Sequence, residues 1–401
     1  MNNKISYAKT VYGQEEIDAV VKCLNESTQM GNYSRKFESK IADLFDKKES
    51  LYVNSGSSAL YIGIEALSFK KGSEIITPAL TFGTTVGCIV KNELIPVFVD
   101  VEPLTYCIDI KKIEEMITDK TVAILAPNLM GNLCDWKEIR EIANKYDLIV
   151  IEDSADTLGS KINDQKSGFY SDMSITSFYG SHIINCAGNG GALALNNDQV
   201  IAKAKLLRSW GRSSSLFDEK SEEIENRFNI NLEGIEYDAK FVFEIPGYNL
   251  EGNEMGAAFG LAQLKKLENN IKIREQNFIK QCDFFNKHET YFDNPKQKAG
   301  VSTAWLAFPI LIKKNAPFKR RELQIYLEER NIQTRVVFTG NILRQPMMKN
   351  IKYISNKKGY PNADAVMERG VLLPLHHGMT ENMFKRLHST IEEFIKSYSS
   401  N

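Results

Sequence analysis

Short β-rich runs alternate with helically spaced segments over the first two-thirds of the chain. After a helical opening at Glu15–Leu24, apolar runs fall at Leu51–Val53, Glu74–Thr77, Ile95–Val99, Val122–Ala126 and Leu148–Glu152. Between them, Leu60–Leu67, Ile110–Met116 and Trp136–Lys145 carry apolar residues at helical spacing. Strands alternating with helices predict parallel pairing in a doubly wound α/β sheet. In such a sheet a ligand sits beyond the carboxyl ends of the strands. NSGSSA (54–59), EDSAD (152–156) and SFYGSH (177–182) each follow an apolar run, so the pattern gathers them at that edge.

The alternation breaks at Ser213–Asp238, a polar and acidic stretch that reads as an insertion on the surface or over the site, its run Asp218–Glu225 a solvated face. A long helix is predicted over Glu254–Asn277. Beyond it come a strand (Leu306–Ile312), a helix (Lys319–Glu328), a strand (Thr334–Phe338) and a last helix (Glu381–Ser397). A length of 401 residues, against ~150 per domain, suits a large unit over 1–275 with the long linking helix at its end. A small α+β unit would occupy 276–401.

Composition narrows the function classes. Fifty Lys+Arg against 51 Asp+Glu leave a net charge of −1. That balance argues against a nucleic-acid or anionic-membrane partner, which would want a basic face. No apolar run approaches the ~18 residues of a spanning helix, and MNNKISYAKT lacks the apolar stretch of a secretory leader. A cytoplasmic globular protein is expected. The six cysteines are isolated, with no CxxC pair, so neither a disulfide framework nor a metal cluster is encoded.

Three motifs could carry chemistry. NSGSSA places Gly56 and Ser57 between a strand and a helix, where backbone N–H groups make an anion site. The same turn reads equally as a helix cap by Ser57 or Ser58. In EDSAD, Asp153 could hold a protonated ring nitrogen, or simply cap the next helix. SFYGSHIINCAGNGGAL (177–193) sets a serine, two aromatics and His182 before a glycine-rich turn. Cys186 reads as a small packed thiol or a reactive one. His376–His377 could be a metal pair, yet no third ligand follows at useful spacing, so a loop near the site is the simpler reading. Arg212, Arg335 and Arg344 are candidates for diphosphate or carboxylate contacts, with surface ion pairs as the plain alternative.

NSGSSA, PALTFGTTV, IEDSAD, SFYGSH…GNGGAL, PGYNLEGNEMGAAFGLAQLKKL and TRVVFTGNILRQP together resemble the sugar aminotransferase and dehydratase family of fold-type I pyridoxal-phosphate enzymes. The resemblance runs from about Tyr12 to Phe394. In the aminotransferases this motif ends in the lysine that binds the cofactor covalently; here His182 stands in its place. That replacement marks the dehydratases that remove the 3-hydroxyl from nucleotide-linked 4-keto-6-deoxy sugars.

The resemblance implies a role for each matching position. Gly56, Ser57 and Ser177 would bind the cofactor phosphate, and Phe82 would stack on its ring. Asp153 would pair with the ring nitrogen, and Asp156 would lie near the ring hydroxyl. Asn249 would reach the phosphate of the other subunit, which implies a homodimer with shared sites. Imidazole forms no stable imine, so the cofactor would be held as pyridoxamine phosphate, with His182 as base. One dehydratase subtype carries an iron–sulfur cluster on cysteines after a WGR-like motif. Here Trp210–Arg212 is followed by SSSLFDEKSEEIENRF, which has no cysteine, so no cluster is expected. The self-contained subtype, which regenerates the amine cofactor from L-glutamate, fits better. Aminotransfer without lysine, or non-catalytic binding by a regulator, are the competing expectations.

Overall fold

The computed structural model describes residues 4–217 and 223–399. Seven strands form the central sheet: β1 (Glu49–Val53), β2 (Glu74–Pro78), β3 (Ile95–Val99), β4 (Thr121–Pro127), β5 (Ile149–Asp153), β6 (Met173–Ser177) and β7 (Gly191–Leu195). Their order is β1-β7-β6-β5-β4-β2-β3. The pairs β2–β3, β2–β4, β4–β5 and β5–β6 are parallel, while β7 runs antiparallel to both neighbours.

The strands read as continuous apolar runs because both faces are covered. Neighbouring residues then part to opposite sides, as period-two side chains must. Ile75, Leu125, Ile151 and Leu193 face a core closed by α3 (Gly56–Ala66), α4 (Gly83–Lys91) and α6 (Asp198–Arg208). Ile76, Ile124 and Val150 face α5 (Trp136–Tyr146), and Ala192 and Ala194 face α2 (Asn32–Phe45). Truncating one of the fully buried residues, as in Ile124→Ala, should cost about 2–5 kcal/mol.

The long helix expected over Glu254–Asn277 is two helices, α7 (Glu254–Leu264) and α8 (Leu267–Asn286). The break comes where the buried surface changes. The apolar α7 packs on α1 (Gln14–Glu26) and α2, and Glu254 accepts bonds from the N–H groups of Gly31, Tyr33 and Ser34. Lys266, at the break, turns outward to pair with Glu15 and Glu16. The stretch Ile110–Met116 forms two short 3-10 turns rather than a helix.

A second, antiparallel sheet follows: β8 (Phe292–Asp293), β9 (Phe308–Ile312) and β10 (Gly370–Leu373). With it come α9 (Arg320–Glu329), α10 (Pro361–Arg369) and α11 (Glu381–Ser399). The expected strand Thr334–Phe338 is absent. Arg335 alone exchanges backbone bonds with Leu372, and the chain then turns at Phe338, whose φ is 44°. Within Ser213–Asp238 the described part holds a short helix (Ile224–Phe228) and a hairpin (Ile230–Leu232 with Ile235–Tyr237). Residues 218–222 of the acidic run lie outside the described residues. Among the described residues, no helix is long and apolar enough to cross a membrane.

Candidate active site

The carboxyl ends of β1, β5 and β6 open into a cavity of about 440 Å3. Gly56, Ser57, Phe82, Asp153, Asp156, Ser177 and His182 all line it. The wider surface concavity, about 950 Å3 between α1, α2 and α7, is bordered by none of the three motifs.

The helix cap in NSGSSA is Ser55, whose hydroxyl accepts from the Ser58 N–H at 3.1 Å, not Ser57 or Ser58. Ser57 is left exposed, its hydroxyl 3.2 Å from that of Thr84. The first-turn N–H groups of α3 have no partner in the helix ladder and point out of its start. Gly56 is required by close approach, since a Cβ there would lie 2.7 Å from the Cβ of Ser177. The positions expected to bind phosphate, carried by two strands, thus meet at one point.

Asp153 ends β5, buried, and accepts from the Thr85 hydroxyl at 3.1 Å and the Ala155 N–H at 3.2 Å. Burial pushes its carboxyl up to about 7, and Asp156 adds to the rise against those hydrogen bonds. Asp156 accepts from the Met130 N–H at 2.9 Å, which Met130 offers from a left-handed backbone conformation (φ 59°). Burial raises Asp156 to about 7 as well, opposed by the Met130 N–H and the Arg274 cation.

His182 lies in the irregular stretch between β6 and β7. Its Nδ1 is 2.9 Å from the Ser177 carbonyl oxygen, which can only accept, so Nδ1 carries the proton. Nε2 therefore holds the lone pair, 3.7 Å from Asp156 Oδ1. Burial lowers the imidazole to about 4, keeping it neutral near pH 7. The fixed tautomer leaves the Nε2 lone pair free to accept a proton, while burial disfavours keeping it.

The remaining expected positions stand at the cavity mouth or outside it. Phe82 borders the cavity mouth, 55% exposed, with its ring edge-on to Phe338 at 6.0 Å. Asn249 is exposed on a segment bridged to Ser209 and does not line this cavity. Arg212 stacks on Trp210 at 4.3 Å, with its Nε buried and unpartnered. Arg335 lies over the Tyr7 ring at 5.6 Å, and Arg344 is held bidentately by Asp364. Cys186 is buried, and burial pushes its thiol up, which makes it unreactive. His377 Nδ1 accepts from Arg274 Nε at 3.2 Å, and the described residues hold no metal-binding cluster.

Sequence reasoning missed Tyr7, Thr85, Asn128, Leu306 and Phe338, all of which line the cavity. Thr85 stands one helical turn after Phe82 and could have been found from that spacing. Tyr7, Leu306 and Phe338 come from remote segments and carried no local signal.

The residues fit a phosphorylated pyridine. A first-turn anion cradle, an aromatic at the mouth and a buried carboxylate with no cation paired to it among the described residues stand in one cavity.

Comparison with known proteins agrees. Residues 11–392 match the model of the DegT/DnrJ/EryC1/StrS aminotransferase family. The chain is 33% identical to the lipopolysaccharide biosynthesis protein RfbH of Salmonella typhimurium, over 96% of this chain and 90% of that one. It is 32% identical to the GDP-4-keto-6-deoxy-D-mannose 3-dehydratase of Yersinia pseudotuberculosis, over 84% of this chain and 85% of that one. The solved Escherichia coli GDP-4-keto-6-deoxy-D-mannose-3-dehydratase with bound hydrated PLP superposes with a TM-score of 0.86 at 29% identity, covering 97% and 99% of the two chains. The fold is that of the aspartate-aminotransferase-like, fold-type I pyridoxal-phosphate enzymes. This chain belongs to the DegT/DnrJ/EryC1/StrS family.

Proposed function

We propose that the chain removes the C3 hydroxyl of a nucleotide-linked 4-keto-6-deoxyhexose, using pyridoxamine phosphate that L-glutamate regenerates. The carrying observation is His182, in place of the family's lysine, with Nδ1 tied to the Ser177 carbonyl and Nε2 left as a base. The bound amine cofactor supplies the nitrogen that engages the C4 ketone and a ring that draws off electrons.

Gly56 and Ser57 hold the phosphate at the start of α3 with the Ser177 hydroxyl. Asp153 pairs with the ring nitrogen, and a cation there reverses the burial that raises its carboxyl. Phe82 covers one ring face, and Asp156 faces the ring hydroxyl. His182 Nε2 would take the proton that the bound cofactor's C4′ carbon gives up and hand it to the departing C3 oxygen, which leaves as water. Asn249 serves the site of a second copy, in a homodimer with shared cavities. Arg212, Arg335 and Arg344 are the candidates for the diphosphate, none of them lining the cavity, with Arg344 the weakest because Asp364 already holds it.

Aminotransfer is the second reading, favoured by the family's own description. Incubation with pyridoxal phosphate, glutamate and a panel of 4-keto-6-deoxy sugar nucleotides separates the two. Loss of water with release of ammonia supports dehydration, and a stable aminosugar indicates transfer. Borohydride treatment should leave no pyridoxyl group on the peptide around residue 182. Protein purified anaerobically should be active without stoichiometric iron.

A further inference from the structure

The cavity is built from two sides. Its floor is the motif cluster at the strand ends, while Tyr7 reaches it from the N-terminal segment. That segment is fixed at both ends. Ile5 exchanges backbone bonds with Asn331 and Gln333 (2.9 and 2.8 Å), and the Tyr7 N–H donates to Gln333 Oε1 at 3.1 Å. Three residues on, the Thr10 hydroxyl donates to the Gly180 carbonyl, two residues before His182. The ring of Tyr7 packs on the C-terminal core with Arg335 over its face.

The Tyr7 hydroxyl has no hydrogen-bond partner among the described residues. Tyr7 is half-buried and borders the cavity, so a ligand there can supply the missing partner. Its charged neighbours are Asp156, Arg274 and Arg335, and Asp156 in turn lies 3.7 Å from His182 Nε2. Burial and Asp156 push the phenol up to about 12, so it keeps its proton and acts as a donor.

We propose that Tyr7 is a further catalytic residue, whose hydroxyl donates a hydrogen bond to the C3 oxygen of the sugar and holds that oxygen as it leaves. The proposal rests on the dehydration reading above. When the C3–O bond breaks, its electron pair stays on oxygen, and a fixed donor is worth most where that charge develops. The proton that converts this oxygen to water comes from His182, so Tyr7 needs no partner to reprotonate it.

Tyr7→Phe keeps the ring and its packing and removes only the oxygen. The variant should lose kcat by ~10²-fold, the usual cost of one such donor, with KM within about threefold. A second readout does not use turnover. Cofactor-free wild type should bind a nucleotide-linked 6-deoxyhexose about fivefold more tightly than its 3-deoxy counterpart by calorimetry, as one neutral hydrogen bond allows. In Tyr7→Phe that preference should vanish. A purely structural tyrosine would leave it intact, and a variant that retains both the preference and the rate overturns the assignment. If wild type shows the preference but yields no dehydrated sugar, the Tyr7 contact stands and the dehydration reading fails.

Discussion

The floor and the rim of the cavity are built by different means. On the floor, Gly56, Asp153, Ser177 and His182 sit at strand ends or within a few residues of them, and backbone groups fix their partners. Examples are the Ala155 N–H on Asp153, the Met130 N–H on Asp156 and the Ser177 carbonyl on His182. On the rim, Phe82 and Tyr179 are both more than half exposed. Outside the cavity, Arg212 has a buried Nε without a hydrogen-bond partner among the described residues. The floor draws these fixed partners from its own chain, whereas the rim leaves apolar area for a ligand or a second copy to cover. Chemistry should therefore fail sharply when the floor is altered, and recognition should fail by degrees when the rim is.

The largest expected effect is on the floor. His182→Asn should lower dehydration by at least ~10²–10⁴-fold while cofactor absorbance on the protein stays near wild type, because asparagine cannot take a proton near neutral pH. Near-normal turnover in this variant would move the base elsewhere. His182→Lys should go further, binding the cofactor covalently and exchanging dehydration for some aminotransfer.

Asp153→Asn comes next, with cofactor affinity expected to fall by roughly 10- to 100-fold through loss of the charge partner, measured by equilibrium dialysis. Its stability should depend on pH in the opposite sense to a salt-bridged carboxylate. The folded carboxyl is raised to about 7, above its unfolded value, so its contribution is full below about pH 4 and is lost as pH rises through about 7. Cofactor-free Asp153→Asn should thus gain on cofactor-free wild type between pH 6 and 8, by on the order of 1–3 kcal/mol. Thermal melts in which the two proteins track each other across that range would contradict an unpaired buried carboxylate.

Positions outside the cavity offer a smaller and more discriminating test. If Asn249 serves a neighbouring cavity, Asn249→Asp would set a carboxylate against the partner's phosphate and inactivate it. Refolding His182→Asn together with Asn249→Asp should then recover about a quarter of wild-type activity, since half of the random dimers carry one intact site. No recovery would confine Asn249 to its own chain. The least effect belongs to Arg344→Ala, for which KM should stay within about twofold. Asp364 already neutralises that guanidinium on the surface, and exposed pairs contribute little.

Much of the floor was legible in the sequence because its parts are local. A strand ending in Asp153, a turn that opens a helix at Gly56 and a serine two aromatics ahead of His182 are each written within a few residues, and parallel sheet topology brings their ends to one edge. The apolar runs marked the strands for the same reason: burial on both faces removes the polar alternation. Where the local signal and the packing disagreed, packing prevailed. Helical spacing ran unbroken through Lys265 and Lys266, yet the buried surface changes there and the helix divides. The β-rich run Thr334–Phe338 pairs through Arg335 alone, because Phe338 turns the chain toward the cavity.

Sequence by itself determined the α/β class, the motif cluster at the strand ends and the exchange of lysine for His182, since each depends on residues close together along the chain. Tertiary structure decided the rest. It chose Ser55 over its two neighbours as the cap of α3, and so left Ser57 free. It assigned the proton of His182 to Nδ1, because the Ser177 carbonyl is fixed beside it by the strand end. It also brought Tyr7, Leu306 and Phe338 across hundreds of residues to close the cavity. Such contacts have no sequence spacing to betray them, because their neighbours are set by the packing of two sheets rather than by the period of one helix or strand.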